Sequence, residues 1–168
     1  YINFGKESYR DGVDLTTEEF YRKLASGKTL PTTAVPGPAA FAQVYDKLAQ
    51  ETDEIVVIAL ASKLSSAYAM ESQATGMMRK KCRIEIIDSK AGCMALGLIA
   101  IAAAKAANAG AKTDDVVKIT RQNIHRSKIY FAFDTLEYLK RSGRVSAAQA
   151  FLGSMLKVNP IMTLEEGE

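Results

Sequence analysis

The chain has 168 residues, enough for one domain with a sizeable core, and 48% of them are hydrophobic, an ordinary globular fraction. Its 22 basic and 19 acidic residues leave a net charge of only +3. The basic residues cluster only at Arg79-Lys80-Lys81 and Lys140-Arg141, so no nucleic-acid partner is expected and the charge does not demand a membrane surface. Cys82 and Cys93 are too few for a disulfide framework or a zinc site and read as free thiols of a reducing cytosol, which makes the expected location cytoplasmic. The most apolar stretch, Met94 to Ala109, is interrupted by Lys105 and reads as a buried helix, with no stable membrane insertion.

In chain order, Tyr1–Phe4 predicts a short strand. Thr16 with Glu19 forms a capping-box pattern ahead of a helix to about Ala25. The stretch from Lys28 to Pro38 is rich in proline and reads as a loop, with Pro38 opening the next helix. Phe41, Val44, Tyr45 and Leu48 recur at helical spacing, to about Gln50. The continuous apolar run Ile55–Ala61 predicts a strand buried on both faces, and a helix follows from about Ser66 to Arg79. Arg83–Ile87 is a second short strand, Cys93–Asn108 an alanine-rich helix, and Gly110 its stop. Strand, helix, strand, helix predicts a parallel α/β sheet.

The texture changes after Gly110. A helix is expected from Thr113 to about His125, a strand over Ile129–Phe133 and a short helix over Leu136–Arg141. A helix capped by Ser146 to about Leu156 and a strand over Val158–Leu164 complete the chain. Alternation here suggests a sheet exposed on one face. The expected division is therefore an N-terminal α/β domain over 1–112 and the beginning of a second α/β domain over 113–168. A first residue other than methionine, and strand-like residues at both ends, read as a piece of a longer protein.

Three segments carry candidate chemistry. The end of the buried strand runs into Ser62, Lys63, Ser65 and Ser66 at a helix start, where free N–H groups and the helix dipole favour a small anion. An ordinary serine N-cap explains the same residues without a ligand. The Pro31-Thr32-Thr33 loop offers hydroxyls on a stiff backbone. The Arg141-Ser142-Gly143-Arg144 turn presents two guanidinium groups suited to phosphate or an acidic partner. Nucleotide-loop, zinc-protease and nucleophile-elbow motifs are absent, and the single histidine, His125, reads as a helix C-terminal residue.

These pieces together resemble the DegV family. The matching blocks, in the family's order, are Tyr9-Arg10-Asp11-Gly12-Val13-Asp14, Glu19-Phe20-Tyr21, Leu30-Pro31 with Thr33 and Pro36, and Ala61 to Tyr68. Further along come Ile87-Asp88-Ser89, Gly110, the run Asp134 to Ser146, and Val158-Asn159-Pro160-Ile161. The resemblance implies a two-domain bacterial protein: a three-layer domain with a parallel sheet, then an α/β domain with a mainly antiparallel sheet. It implies a long-chain fatty acid as ligand, with no cofactor, no metal and no catalytic residue of its own. The tail would lie in an apolar tunnel, and Thr33 and Ser65 would hydrogen-bond the carboxylate. From the residues themselves, Thr32, Ser62 and Ser66 are expected as secondary pocket residues, and Arg141 or Arg144 as partner-docking residues.

Family members of the fatty acid kinase B type present the carboxylate to a separate ATP-binding kinase subunit, which is the partner the resemblance implies. The family's T-S-Q-P-S loop corresponds to Thr33-Ala34-Val35-Pro36-Gly37, and its L-S-G-T-Y to Leu64-Ser65-Ser66-Ala67-Tyr68, so the head-group pocket is less polar than the family pattern. Two other readings stay open: a serine acyl hydrolase or transferase using Ser65, which lacks an evident base, and a lipid-responsive regulatory module that binds a partner through the Arg141–Arg144 turn.

Overall fold

A computed structural model describes residues 1–27, 29–144 and 159–168. They divide into two compact units, 1–36 and 37–168.

In the first unit, β1 (Ile2–Phe4) pairs antiparallel with β2 (Glu7–Tyr9). The two-residue connection has Gly5 at φ +62°, the conformation that tight primed hairpin turns demand. The block Tyr9 to Asp14 folds as a turn locked by one residue pair. The Arg10 guanidinium donates to both oxygens of Asp14 at 2.8 and 2.6 Å, and the Arg10 N–H adds a third bond at 2.9 Å. These bonds hold the Asp14 carboxyl down at about 2. Helix α1 (Thr17–Ser26) starts with the full capping box: Glu19 N–H donates to Thr16 Oγ1, and Thr16 N–H to Glu19 Oε2. Its Phe20 ring lies 5.9 Å from Phe4 of β1, which fastens the helix to the sheet. Within the expected loop over 28–38, Thr32–Thr33 form a strand, β3, antiparallel to β1. Two β-branched residues beside an unpaired strand edge favour that pairing over an irregular loop.

The second unit opens with α2 (Pro38–Leu48), Pro38 at its first turn as expected. The strands β4 (Glu54–Ala59) and β5 (Arg83–Asp88) pair in parallel, with Ala59 opposite Asp88. Between them lies α3 (Ala67–Thr75), shorter than the expected 66–79. It stops at the C-cap residue Gly76, and further along Asp46 of α2 accepts the N–H groups of Arg79 and Lys80, at 2.9 and 3.1 Å. Next come α4 (Cys93–Asn108) and α5 (Thr113–Arg126). Gly110, at φ +87°, ends α4 with paired bonds from Gly110 N–H to Ala107 and Ala111 N–H to Ala106.

Successive strand residues point to opposite faces of a sheet, and this creates the layers. Val57 packs into a cluster with Ala42, Tyr45 and Ala74 of α2 and α3. Ile58, its neighbour, packs against Ala95 and Ile99 of α4 with Ile124 of α5. The sheet thus lies between two helical layers. Two expectations differ in degree. The middle of β4 is half-buried rather than sealed, because β5 is its one strand neighbour among the described residues. Helix α4 is buried on one face only: Ala95, Ile99 and Ala103 point inward, while Met94 and Leu98 are 65% and 59% exposed.

Beyond α5, β6 (Tyr130–Ala132) pairs antiparallel with β7 (Ile161–Thr163). Leu136, just before α6 (Glu137–Ser142), is buried against Phe133, Leu139 and Met162. The expected helix from Ser146 to Leu156 lies outside the described residues. The division expected near residue 112 falls inside the second unit, between α4 and α5, which pack on each other.

Ile99 is the largest fully buried side chain described, at 1% exposure. Ile99→Ala is expected to lower the unfolding free energy by about 2–5 kcal/mol, through lost burial and the cavity left behind. A denaturant titration measures this, and an unchanged midpoint with unchanged slope would show that α4 is not anchored through Ile99.

Candidate functional site

The loops that leave β4 and β5 meet at the carboxyl ends of the strands, the usual ligand side of a parallel sheet. Ser89 N–H continues the sheet by donating to Ala59, and Ala61 N–H donates to Ala91 at 3.0 Å. Ser89, 1% exposed, closes its own turn: its hydroxyl accepts from Ala91 N–H and donates to the Ala91 carbonyl. Asp88 joins the two loops. It accepts Ser62 Oγ–H at 2.6 Å, Ser62 N–H at 3.2 Å and Lys90 N–H at 2.9 Å. Ser62 is therefore a strut between loops, with its hydroxyl proton committed to Asp88.

Ser65 is placed differently. Its N–H donates to Ala61, and its oxygen accepts the N–H of Ala67, the first residue of α3, at 3.1 Å. The hydroxyl proton has no acceptor among the described residues, so partly buried Ser65 retains one donor at a helix start. Ser66 is the N-cap residue and makes no side-chain cap bond; its φ of −73° is one any residue adopts. The glycine of the family pattern is thus not required there by the backbone.

The lysines beside this loop are already engaged. Lys63 Nζ pairs with Glu168 at 2.6 Å, and Lys90 pairs with Glu166. Gly167 lies between these carboxylates at φ +90°, where a Cβ would come within 3.5 Å of Ala61 Cβ and of Lys90 Cα. The turn 165–168 therefore sits directly on the strand ends. Lys90 holds the Glu166 carboxyl below its ordinary value of 4.5, with smaller help from His125 and Lys63. Nothing in the sequence spacing marks these pairs, which join residues 105 and 76 positions apart.

The two arginines expected to act alike are separated. Arg141 pairs with Glu137 one turn earlier on α6. Arg144 is exposed but reaches back, Nε donating to the Leu64 carbonyl at 3.4 Å and Nη1 to Ser142 at 2.5 Å. Arg144 therefore touches the peptide that carries Ser65. Thr32 and Thr33 stand exposed on β3 of the first unit. Two open depressions lie elsewhere, one lined in part by Asp53, Lys81 and Arg83 and the other by Gln43, Asp46 and Arg79; neither is lined by Thr33 or Ser65. Among the described residues no cluster of His, Cys, Asp or Glu is arranged to hold a metal, and no helix is long and apolar enough to cross a membrane.

A half-buried parallel pair between helical layers, with its hydroxyl-bearing loop at the strand ends, defines an α/β protein whose candidate site is the loop region at the carboxyl side of the sheet. The family model described as an uncharacterised protein, DegV family, matches residues 1–168, and the chain belongs to the DegV family. A DegV domain-containing protein of Caldanaerobacter subterraneus is 40% identical over 167 residues, 99% of this chain and 59% of that relative. The chain spans about three fifths of the length of the curated relatives it matches. A structure described as fatty acid binding of a DegV family protein from Thermus thermophilus covers the whole chain, and 59% of its own length is matched, with TM-score 0.89 and 31% identity. DegV of Bacillus subtilis, described as a fatty acid binding protein, matches over 98% of this chain and 58% of its own, with TM-score 0.86 and 31% identity.

The Glu166–Lys90 pair gives a pH test. A carboxyl whose folded value is depressed contributes stability above its ordinary range and loses it as pH falls through the folded value. Lys90→Met is expected to lower the melting temperature at neutral pH in dilute salt. The gap to wild type should close on acidification below the ordinary carboxylate range and shrink in concentrated salt. A gap constant across that range would assign the loss to packing of the lysine stem instead.

Proposed function

We propose that this chain is the lipid-binding part of a fatty-acid carrier. The carboxylate of a long-chain fatty acid is held by Thr33 and Ser65, and the tail lies in an apolar tunnel of the domain over 1–112, ahead of a second domain that begins at 113–168. The observation that carries the reading is the spare donor of Ser65. A hydroxyl proton without an acceptor among the described residues, at the start of α3 and the carboxyl end of a parallel strand, suits an anion. The fatty-acid binding described for the Thermus and Bacillus relatives supports the ligand class. Thr33 supplies the second hydroxyl, from a strand held by main-chain pairing to Ile2. Each buried CH₂ contributes about 0.8 kcal/mol, so a sixteen-carbon tail gains roughly 12 kcal/mol before association costs. The head-group bonds then orient more than they bind.

As a carrier in the cytoplasm, the protein would present the carboxylate to an ATP-binding kinase subunit that forms the acyl phosphate. Arg144 fits a docking role near the head group, because it is exposed and bonded to the carbonyl of Leu64 beside Ser65. The hydrolase reading is not favoured, since no side-chain base is hydrogen-bonded to Ser65 among the described residues.

Native mass spectrometry of the full-length protein as purified is expected to show a co-purified fatty-acid mass. Replacing both Thr33 and Ser65 by Ala should weaken binding of a fluorescent fatty acid by roughly 2–4 kcal/mol. Equal affinities would move the head group elsewhere. Arg144→Ala is expected to keep lipid binding while abolishing acyl-phosphate formation with the cognate kinase subunit. Retained kinase activity with a lower melting temperature would make Arg144 a structural tie to the Ser65 loop.

A further inference from the structure

Among the described residues, two buried side-chain atoms have no hydrogen-bond partner: Tyr45 Oη and Glu71 Oε2. Their residues stand on α2 and α3, which pack against each other. Tyr45 is 4% exposed and shares a cluster with Ala42 and Ala74. Ala74 lies one turn beyond Glu71, so both occupy the face of α3 turned toward α2. The groups also sense each other. Burial, with a contribution from the Glu71 charge, pushes the Tyr45 phenol up to about 12, and burial raises the Glu71 carboxyl as well.

Leaving a buried polar group without a partner is costly, and each such group needs a reason. Phenylalanine would fill the Tyr45 position without that cost. Two orphans on facing helices can be satisfied together by one guest that bonds both. Phe41, Val57, Met78 and Ile84 pack around the same cluster and offer no strong competing donor or acceptor.

We propose that Tyr45 and Glu71 form an internal polar site between α2 and α3 that takes one hydroxyl group, from an ordered water or from a hydroxyl on the chain of a bound fatty acid. The guest oxygen accepts from the Tyr45 O–H, and the guest proton is donated to Glu71 Oε2. The acyl source rests on the fatty-acid function proposed above; the water source does not.

The test uses the purified full-length protein. Three measurements are made: a lipid-free crystal structure that resolves buried waters, the melting temperature of Tyr45→Phe, and competition between stearate and a positional series of monohydroxystearates. With water as guest, density lies within hydrogen-bond distance of both side chains, Tyr45→Phe melts lower, and no hydroxystearate gains over stearate. With an acyl hydroxyl as guest, one positional isomer binds about two- to tenfold tighter than stearate. That gain disappears in Tyr45→Phe and in Glu71→Leu. The proposal is overturned if no bridging density appears, Tyr45→Phe melts higher and no isomer gains. In that case retained stearate binding leaves the carrier function standing. Absence of stearate binding with the water in place removes the carrier function and keeps the site.

Discussion

The carboxylate of Asp88 fixes the two loops at the carboxyl ends of the parallel strands in one arrangement. It stands at the last position of β5 and takes three donors, two from Ser62 and one from Lys90. Bonds to a charged acceptor are stronger than neutral ones, so these three hold the loops more firmly than neutral bonds would. The rest of the site follows from this. With Ser62 held, Ala61 pairs with Ala91, the chain turns through Leu64 and Ser65 onto the Ala61 carbonyl, and α3 starts with Ser65 as its first acceptor.

Electrostatics divides the donors of this region into two groups. Lys63 and Lys90 are paired with Glu168 and Glu166, so their charge is locally neutralised. Ser65 keeps a neutral donor, reinforced by the positive end of the α3 dipole. A carboxylate bound there, as proposed, would meet hydroxyl and amide donors instead of a fixed cation. That arrangement suits a ligand that must be taken up and released, because a buried ion pair resists loss of either partner. Arg144, bonded only to carbonyls, adds positive charge at the outer side of the Ser65 loop without entering an ion pair among the described residues.

Helix α4 shows how composition and burial part company. Its alanines let it approach the sheet closely, and Ala95, Ile99 and Ala103 occupy the inner face. Hydrophobic residues continue around the helix to Met94 and Leu98, which face outward. A run that is apolar all round reads as buried on every side. The fold gives it a single sheet face to cover, and the remaining apolar surface stays open among the described residues.

Local rules written in the sequence settled the elements themselves. The Thr16–Glu19 capping box, Pro38 at a helix start, Gly110 at a helix stop, the β-branched run Ile55–Ile58 and the isoleucine-rich stretch Ile84–Ile87 act within a few residues, so each could be read before folding. The ordered motif blocks likewise identified the family, now matched over residues 1–168. What the sequence left open depends on residues distant in the chain. Ser62 looks like Ser65 in sequence, but the partner 26 positions away at Asp88 takes its proton, and of the two Ser65 alone keeps a donor among the described residues. The Lys–Glu pairs at the strand ends, the capture of Arg79 and Lys80 by Asp46, and the facing of Tyr45 and Glu71 arise in the same way. Short-range preferences fix backbone conformation residue by residue. Which polar group finds a partner distant in the chain is decided only when packing brings separate elements together, and that is a property of the tertiary structure alone.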